Sequence, residues 1–317
     1  MTSTAYRVRG GRRPLASGAY RRARRRRFMV RRVVFVLALF LVLLPFFGAP
    51  LYSVSFPERR SEGAVLPVEA GTPPALPHPR PPELGQAWAN AIDRDSFPNL
   101  ATNGKTGTLG GRIALTFDDG PKPRTTPLIL DTLQKHDLKA TFFVLGRQAK
   151  AHPDLLRRIV EEGHTLGNHT YDHADMSGLS PGQIRLELQS TQEAVDGALG
   201  YHYPMVLMRP PYGSPYFEGS AALPVFRRVV RAEGLFPVIW TIDSSDYLFG
   251  GHPEALVRGI VRSDQRRRKT QRDQVLLLHD THGQTAQALP EIIAHFEGSG
   301  RQFAEVDELL TDKYARP

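Results

Sequence analysis

An α/β fold built on a parallel sheet, closed into a barrel or wound open, is what this chain predicts, and three observations carry that expectation. Seven short apolar runs of strand type alternate with longer segments of helical type between residues 111 and 310. Several helical segments open on Pro and close on Gly, as helix ends prefer. The side chains able to do chemistry follow the apolar runs, and α/β barrels place their sites at the C-terminal ends of their strands.

In chain order, the strand-type runs fall near 112–117, 139–145, 164–167, 205–208, 236–241, 274–278 and 302–306. Between most of them lie Pro123–His136, His152–Gly163, Pro181–Leu199, Ala221–Gly234, Pro253–Ser263 and Thr285–Gly298, which read as helices. About 200 residues make one well-filled domain. The chain has no Cys, so neither a disulfide nor a thiolate nucleophile or ligand is available, and packing alone must hold the fold.

The first run ends in Thr116-Phe117-Asp118-Asp119-Gly120-Pro121, and some fifty residues on comes His169-Thr170-Tyr171-Asp172-His173. Two histidines at i and i+4 reach one metal from a helical turn or a tight loop, and an aspartate completes the three protein ligands that a catalytic metal with an open position needs. Taken singly, each motif has a bland reading. An H-x-x-x-H pair is commonly two surface histidines, and Asp-Asp-Gly commonly ends a strand in a turn. Three more motifs follow: Arg209 enters the Pro210-Pro211-Tyr212-Gly213 turn, Asp243-Ser244-Ser245-Asp246-Tyr247 closes an apolar run, and Val275 to Leu278 releases His279-Asp280. Five such motifs in order, each just after an apolar run, point to a metal-dependent hydrolase.

The ordered set TFDDGP, HTYDH, RPPYG, DSSDY and LLLHD resembles the five motifs of the polysaccharide deacetylase family, the NodB-homology or carbohydrate esterase family 4 enzymes. The resemblance covers about residues 111–310 and implies a distorted (β/α)7 barrel. It implies that Asp119, His169 and His173 hold a divalent metal, usually zinc. It also implies that Asp118 is the general base, Arg209 its orienting partner and His279 the general acid. Asp246 would tune His279, with Asp243 the second candidate for that task. The backbone N–H of Tyr212 would help bind the oxyanion, and Leu276 and Tyr247 would wall the acetyl methyl group. One departure stands out: the fourth motif commonly ends in Trp, and here it ends in Tyr247, a shorter wall with a hydroxyl. The implied activity is hydrolytic removal of N-acetyl groups from a polysaccharide. Peptidoglycan N-acetylglucosamine leads as substrate, with chitin-like oligomers, exported polysaccharide and O-acetylated xylan open. Two rivals belong to other classes. Two His and one carboxylate can hold Fe(II) for oxygenase chemistry, but Asp118, Arg209 and His279 speak for hydrolysis. A catalytically inactive glycan-binding domain would need a damaged base or acid, and both are present.

The N-terminal third reads differently. Residues 1–32 hold twelve Arg and no Lys, Asp or Glu, so the net charge of +9 belongs to this tail. Residues 33–52 follow without a charge, and as a helix those twenty residues span about 30 Å, the thickness of a bilayer core. We expect a single-pass signal-anchor with its tail inside and the catalytic domain, residues 111–317, outside the cell membrane. Secretion after signal cleavage is the alternative, and Arg25-Arg26-Arg27-Phe28-Met29 loosely resembles a twin-arginine signal. An Arg run directly before a span suits anionic lipid headgroups, and no nucleic-acid partner is expected. Residues 53–110 are rich in Pro, Gly and Ala and read as an extended extracytoplasmic linker.

Overall fold

The computed structural model describes residues 111–216, 221–267 and 273–314. The expected Arg-rich tail, membrane span and linker lie outside the described residues. Among the described residues, no helix is long and apolar enough to cross a membrane.

The central strand is β1 (Arg112–Asp118), buried along nearly its whole length because both faces of the sheet are covered. Around it stand β2 (Thr141–Val144), β3 (Thr165–Asn168), β4 (Leu207–Met208), β5 (Phe236–Pro237), β6 (Ile242–Asp243), β7 (Gln274–His279) and β8 (Gln302–Phe303). All described pairings are parallel, in the order β5-β4-β3-β2-β1-β7-β6, with β8 against the start of β1. Parallel pairing requires crossovers, which here are α1 (Thr126–Lys135), α2 (Gly146–Ala151), α3 (Pro153–Glu161), α4 (Pro181–Leu199), α5 (Leu223–Ala232), α6 (Pro253–Arg267) and α7 (Gly283–Gly298), and α8 (Val306–Tyr314) ends the order. The longest crossover, α4, is defined at both ends. Ser180 and Gln183 form a reciprocal capping box, and Gly200 closes the helix at φ 81°, a left-handed conformation glycine adopts without penalty.

The run expected as one strand over 236–241 is two short strands at opposite ends of the sheet. Val238 N–H donates to Met208 C=O at 2.7 Å, on the β4 side, whereas Thr241 N–H donates to Val275 C=O at 3.0 Å, on the β7 side. The chain changes partner between them, so covalent backbone joins the two sheet edges where the ladder is interrupted. The sheet is thus a parallel half-barrel consistent with the expected (β/α)7 architecture, and the split brings the strands among the described residues to eight. At the other end, the run near 302–306 keeps only two strand residues. Glu305 N–H is taken by the Glu308 carboxylate at 2.9 Å, which starts α8 at once.

Strand alternation sorts the core into two layers. Ile113, Leu115, Phe117, Phe142, Leu166, Met208, Leu276 and Leu278 pack with the helices. Ala114, Phe143, Leu207, Phe236, Val238 and Val275 face the other way and pack with Val306, Leu309 and Leu310 of α8. Each fully buried side chain of this size contributes roughly 1.5–3 kcal/mol, so the two layers dominate stability. The inner face is crowded: a Cβ at Gly167 would lie 2.5 Å from the Phe143 ring, so glycine is needed there. Continuing the same alternation up β1 and β7 puts Thr116 and Asp118, and then Leu277 and His279, on the inner face at the C-terminal mouth.

Candidate active site

The first half of the site grows from the ends of β1, β3 and β4. Asp118 is the last residue of β1, buried, and Oδ1 accepts a 2.8 Å hydrogen bond from Arg209 Nη1. Arg209 follows β4 and is 0% exposed. It donates through Nη1 also to Thr116 Oγ1 at 2.8 Å and through Nε to Val238 C=O at 3.0 Å, and its guanidinium lies 4.1 Å from the Phe143 ring centre. A buried guanidinium carries a large desolvation cost, and this one is met by a carboxylate, a hydroxyl, a carbonyl and an aromatic face. Burial pulls its pKa below the usual arginine value, while the Asp118 carboxylate pushes back.

Asp119, His169 and His173 come together beside it, with one ligand atom from each lying within 4.8 Å of the others. Nε2 of His169 and of His173 lie 3.4 and 3.2 Å from the same oxygen, Asp119 Oδ1. That oxygen is buried and, among the described residues, meets the geometry of a hydrogen bond with none. His169 Nδ1 is engaged with Arg209 C=O at 2.7 Å, which leaves Nε2 to face Asp119. A buried carboxylate oxygen opposed by two oriented imidazole nitrogens fits a divalent metal. Burial raises the pKa of Asp119, but His169, His173 and His279 more than offset that and hold it well below the usual range. The histidines are carried by a tight loop rather than a helical turn, since Thr170 (φ 69°) and His173 (φ 71°) are both left-handed. Glu187 of α4 ties this loop down by accepting Tyr171 N–H at 2.9 Å and Asp172 N–H at 3.3 Å, and Asn168 Oδ1 accepts Thr170 N–H at 2.9 Å.

The second half grows from β7, the loop after β6 and the first turn of α7. His279 Nδ1 bonds Asp246 Oδ1 at 2.6 Å, and His279 N–H donates to Asp246 Oδ2 at 2.7 Å. Thr285 Oγ1 donates to Oδ2 at 2.7 Å, and Gln284 Nε2 donates to Asp246 C=O at 2.8 Å. Asp246 is 0% exposed and fully bonded. Burial lowers the pKa of His279, but Asp246 overrides it and pushes the imidazole up to about 9. Asp118 and His279 are direct register partners on the paired strands β1 and β7, so the two halves face one another across one ladder position.

A family model described as polysaccharide deacetylase matches residues 105–223. The chain is 34% identical over 198 residues to a peptidoglycan-N-acetylglucosamine deacetylase of Bacillus cereus, covering 61% of this chain and 68% of that protein. This chain belongs to the polysaccharide deacetylase family. It is similar also to the peptidoglycan-N-acetylglucosamine deacetylase PgdA of Listeria monocytogenes, 33% identical over 252 residues, which are 78% of this chain and 49% of that one. The chain therefore spans about half the length of that curated relative. Among solved structures, the family 4 carbohydrate esterase from Streptomyces lividans in complex with acetate superposes with a TM-score of 0.53 at 34% identity, covering 62% of this chain and 93% of that one.

Of the residues the family motifs single out, the structure gathers Asp118, Asp119, His169, His173, Arg209, Asp246 and His279 at one mouth. Tyr212 (φ 62°) sets its ring 4.6 Å from that of His173, and Tyr247 sets its ring 6.1 Å from that of His279; both are more than half exposed. Two expectations do not hold. Leu276 is fully buried in the layer under the helices, because strand alternation turns it away from the face that carries His279; Leu277 shares that face. Asp243 does not reach His279. It is exposed, and its Oδ1 accepts Ser245 N–H at 2.7 Å, a turn-capping role. Sequence reasoning missed Thr285 and Gln284, the buttress of Asp246, and Glu187, the anchor of the histidine loop. The first two sit in the opening turn of the helix after His279 and were findable as polar helix-start residues. Glu187 carries no local signal. Asp280, next to His279, is fully buried against Gly120, and burial raises its pKa to about 7.

Proposed function

We propose that this chain is a metal-dependent deacetylase that hydrolyses the N-acetyl group of N-acetylglucosamine units in a cell-envelope glycan, foremost peptidoglycan. The observation that carries the reading is the register pairing of Asp118 with His279, with Asp119, His169 and His173 beside them. A carboxylate and an imidazolium facing one another across a ligand set that fits a metal are what amide hydrolysis requires.

Asp119, His169 and His173 would hold the metal; two imidazoles and one carboxylate suit zinc. When bound, such an ion polarises an acetyl carbonyl and brings the pKa of water from about 15.7 toward about 7. Arg209 occupies Asp118 Oδ1, which leaves Oδ2, 3.7 Å from His169 Nε2, as the oxygen that accepts the proton of the attacking water. The backbone N–H of Tyr212 would stabilise the oxyanion. An amine leaves poorly unless protonated. His279, kept cationic by Asp246, donates that proton, and the products are acetate and a free amino sugar. Tyr212 and Tyr247, exposed on the metal side and the acid side, provide aromatic faces for sugar rings.

The substrate reading draws on the peptidoglycan deacetylases the chain is similar to and on place. An Arg-rich segment followed by twenty uncharged residues supports a single-pass anchor that leaves the enzyme outside the cell membrane, against the wall. The test is acetate release by the purified full chain from peptidoglycan, chitooligosaccharide and O-acetylated xylan, before and after chelation. Chelator-sensitive release greatest on peptidoglycan is the expected result. Preferred release from xylan would overturn the substrate, and glycan binding without release from any of the three would favour the inactive binding domain.

A further inference from the structure

A second group of metal-ligating side chains lies on the acid side, apart from the Asp119 set. Asp246, His279 and His282 each offer one ligand atom, and these three atoms also lie within 4.8 Å of one another. His282 precedes α7 as its N-cap residue, and its ring centre is 5.7 Å from that of His279 at an interplanar angle of 67°. The mechanism gives it no task. It is only partly buried, and among the described residues no hydrogen bond engages its ring, so its nitrogens are open to a ligand.

We propose that His282 completes a second, weaker divalent-cation site whose occupation switches the general acid off. This switch rests on the deacetylase reading above and on the chemistry of His279. As an acid it must be an imidazolium with protons on both nitrogens, and a nitrogen bound to a metal carries none. Capture of His279 by a cation at either nitrogen therefore expels a proton to solvent and removes the species that donates to the leaving amine. Without His282 the cation would have only His279 and a buried Asp246; with it the set reaches two imidazoles and a carboxylate, the same donor set as the first site. The affinities differ for a visible reason. Asp119 Oδ1 is unpartnered, whereas both Asp246 oxygens already accept hydrogen bonds, from His279 and Thr285, of 2.6–2.7 Å. Displacing one charged hydrogen bond weakens binding by about tenfold or more. Excess zinc thus inhibits an enzyme that stoichiometric zinc activates.

The experiment is a zinc titration of the full chain, with bound zinc measured by equilibrium dialysis and acetate release followed in parallel. The wild-type chain is expected to bind two equivalents at least about tenfold apart in affinity, its activity rising through the first and falling at least about tenfold through the second. His282→Ala, with His282→Gln as a milder replacement, is expected to bind one equivalent, match wild-type activity at that loading and escape inhibition. His169→Ala is expected to keep only the weak equivalent. A single equivalent in the wild type, or a second that persists in both His282 variants, overturns the proposal. If no loading yields acetate release, the deacetylase reading fails while the binding stoichiometries still decide this site.

Discussion

The two halves of the site solve the same electrostatic problem in opposite ways. On the acid side, both oxygens of the buried Asp246 already accept hydrogen bonds from His279 and Thr285. On the metal side, Asp119 turns toward two histidine nitrogens a buried oxygen that no hydrogen bond among the described residues engages. Among the described residues other buried polar atoms share this state, Asp280 Oδ1 and Arg209 Nη2 among them, and what sets Asp119 Oδ1 apart is the pair of imidazole nitrogens 3.4 and 3.2 Å away. The contrast teaches that the Asp119 side presents a donor set with room for a cation, whereas the His279 side rests as a bonded carboxylate–imidazole pair. Backbone strain follows the same division. Asp119, Thr170, His173 and Tyr212 all hold positive φ on the metal side, against Ser245 alone near the acid. Such conformations cost of order 1–3 kcal/mol each and persist where surrounding structure demands them.

The largest effect is expected from His169→Ala, which should lose bound metal and turnover together, by roughly 10²–10⁴-fold or more in rate; metal analysis beside acetate release checks it. Arg209→Ala should destabilise the fold by about 3–5 kcal/mol, because it strands the buried Asp118 carboxylate; a denaturant titration reads this directly. Asp246→Asn should leave the tight metal equivalent at Asp119, His169 and His173 in place while cutting kcat at that loading by roughly 10–100-fold. Its sign in pH is definite: the His279 pKa of about 9 falls toward the unperturbed value near 6.5, so the alkaline limb of the rate profile moves to lower pH. If the limb stays in place, Asp246 does not tune the acid. Gly120→Ala should cost roughly 1–3 kcal/mol, since its Cβ would fall 1.8 Å from Asp280 Oδ2, and Asp280→Ala in the same chain should recover part of the loss in melting temperature. Ser180→Ala, which removes the α4 capping box, should cost about 1 kcal/mol and leave kcat/KM unchanged.

Which residues gather at the site was more legible in the sequence than how they are arranged there. Alternating apolar runs and Pro-to-Gly helical segments foretold a parallel α/β sheet, and the five motifs foretold which polar residues gather at its mouth. Parity within a strand decided what was misread: in an uninterrupted run such as Val275 to Leu278, no polar residue marks which side faces inward, and Leu276 and Leu277 exchange places by one step. Asp243 and Asp246 are likewise equivalent by composition, and only the turn closed by Ser245 separates the capping residue from the histidine's partner. The break between β5 and β6 lies inside a run that reads as one strand, because the change of pairing partner is a tertiary event. Arg209 was expected at a turn as a carboxylate clamp; its complete burial follows from Phe143 and Val238, residues of distant strands. Glu187 reaches the histidine loop from α4 for the same kind of reason.

The most direct test of the account compares acetate release from peptidoglycan by the wild-type chain and by Asp118→Asn, each stripped with chelator and reloaded with one equivalent of zinc. The account expects chelator-sensitive release by the wild type and a loss of about 10²–10⁴-fold in the variant at equal bound zinc. Release by Asp118→Asn at the wild-type rate with the metal in place would contradict the pairing of Asp118 as base with His279 as acid.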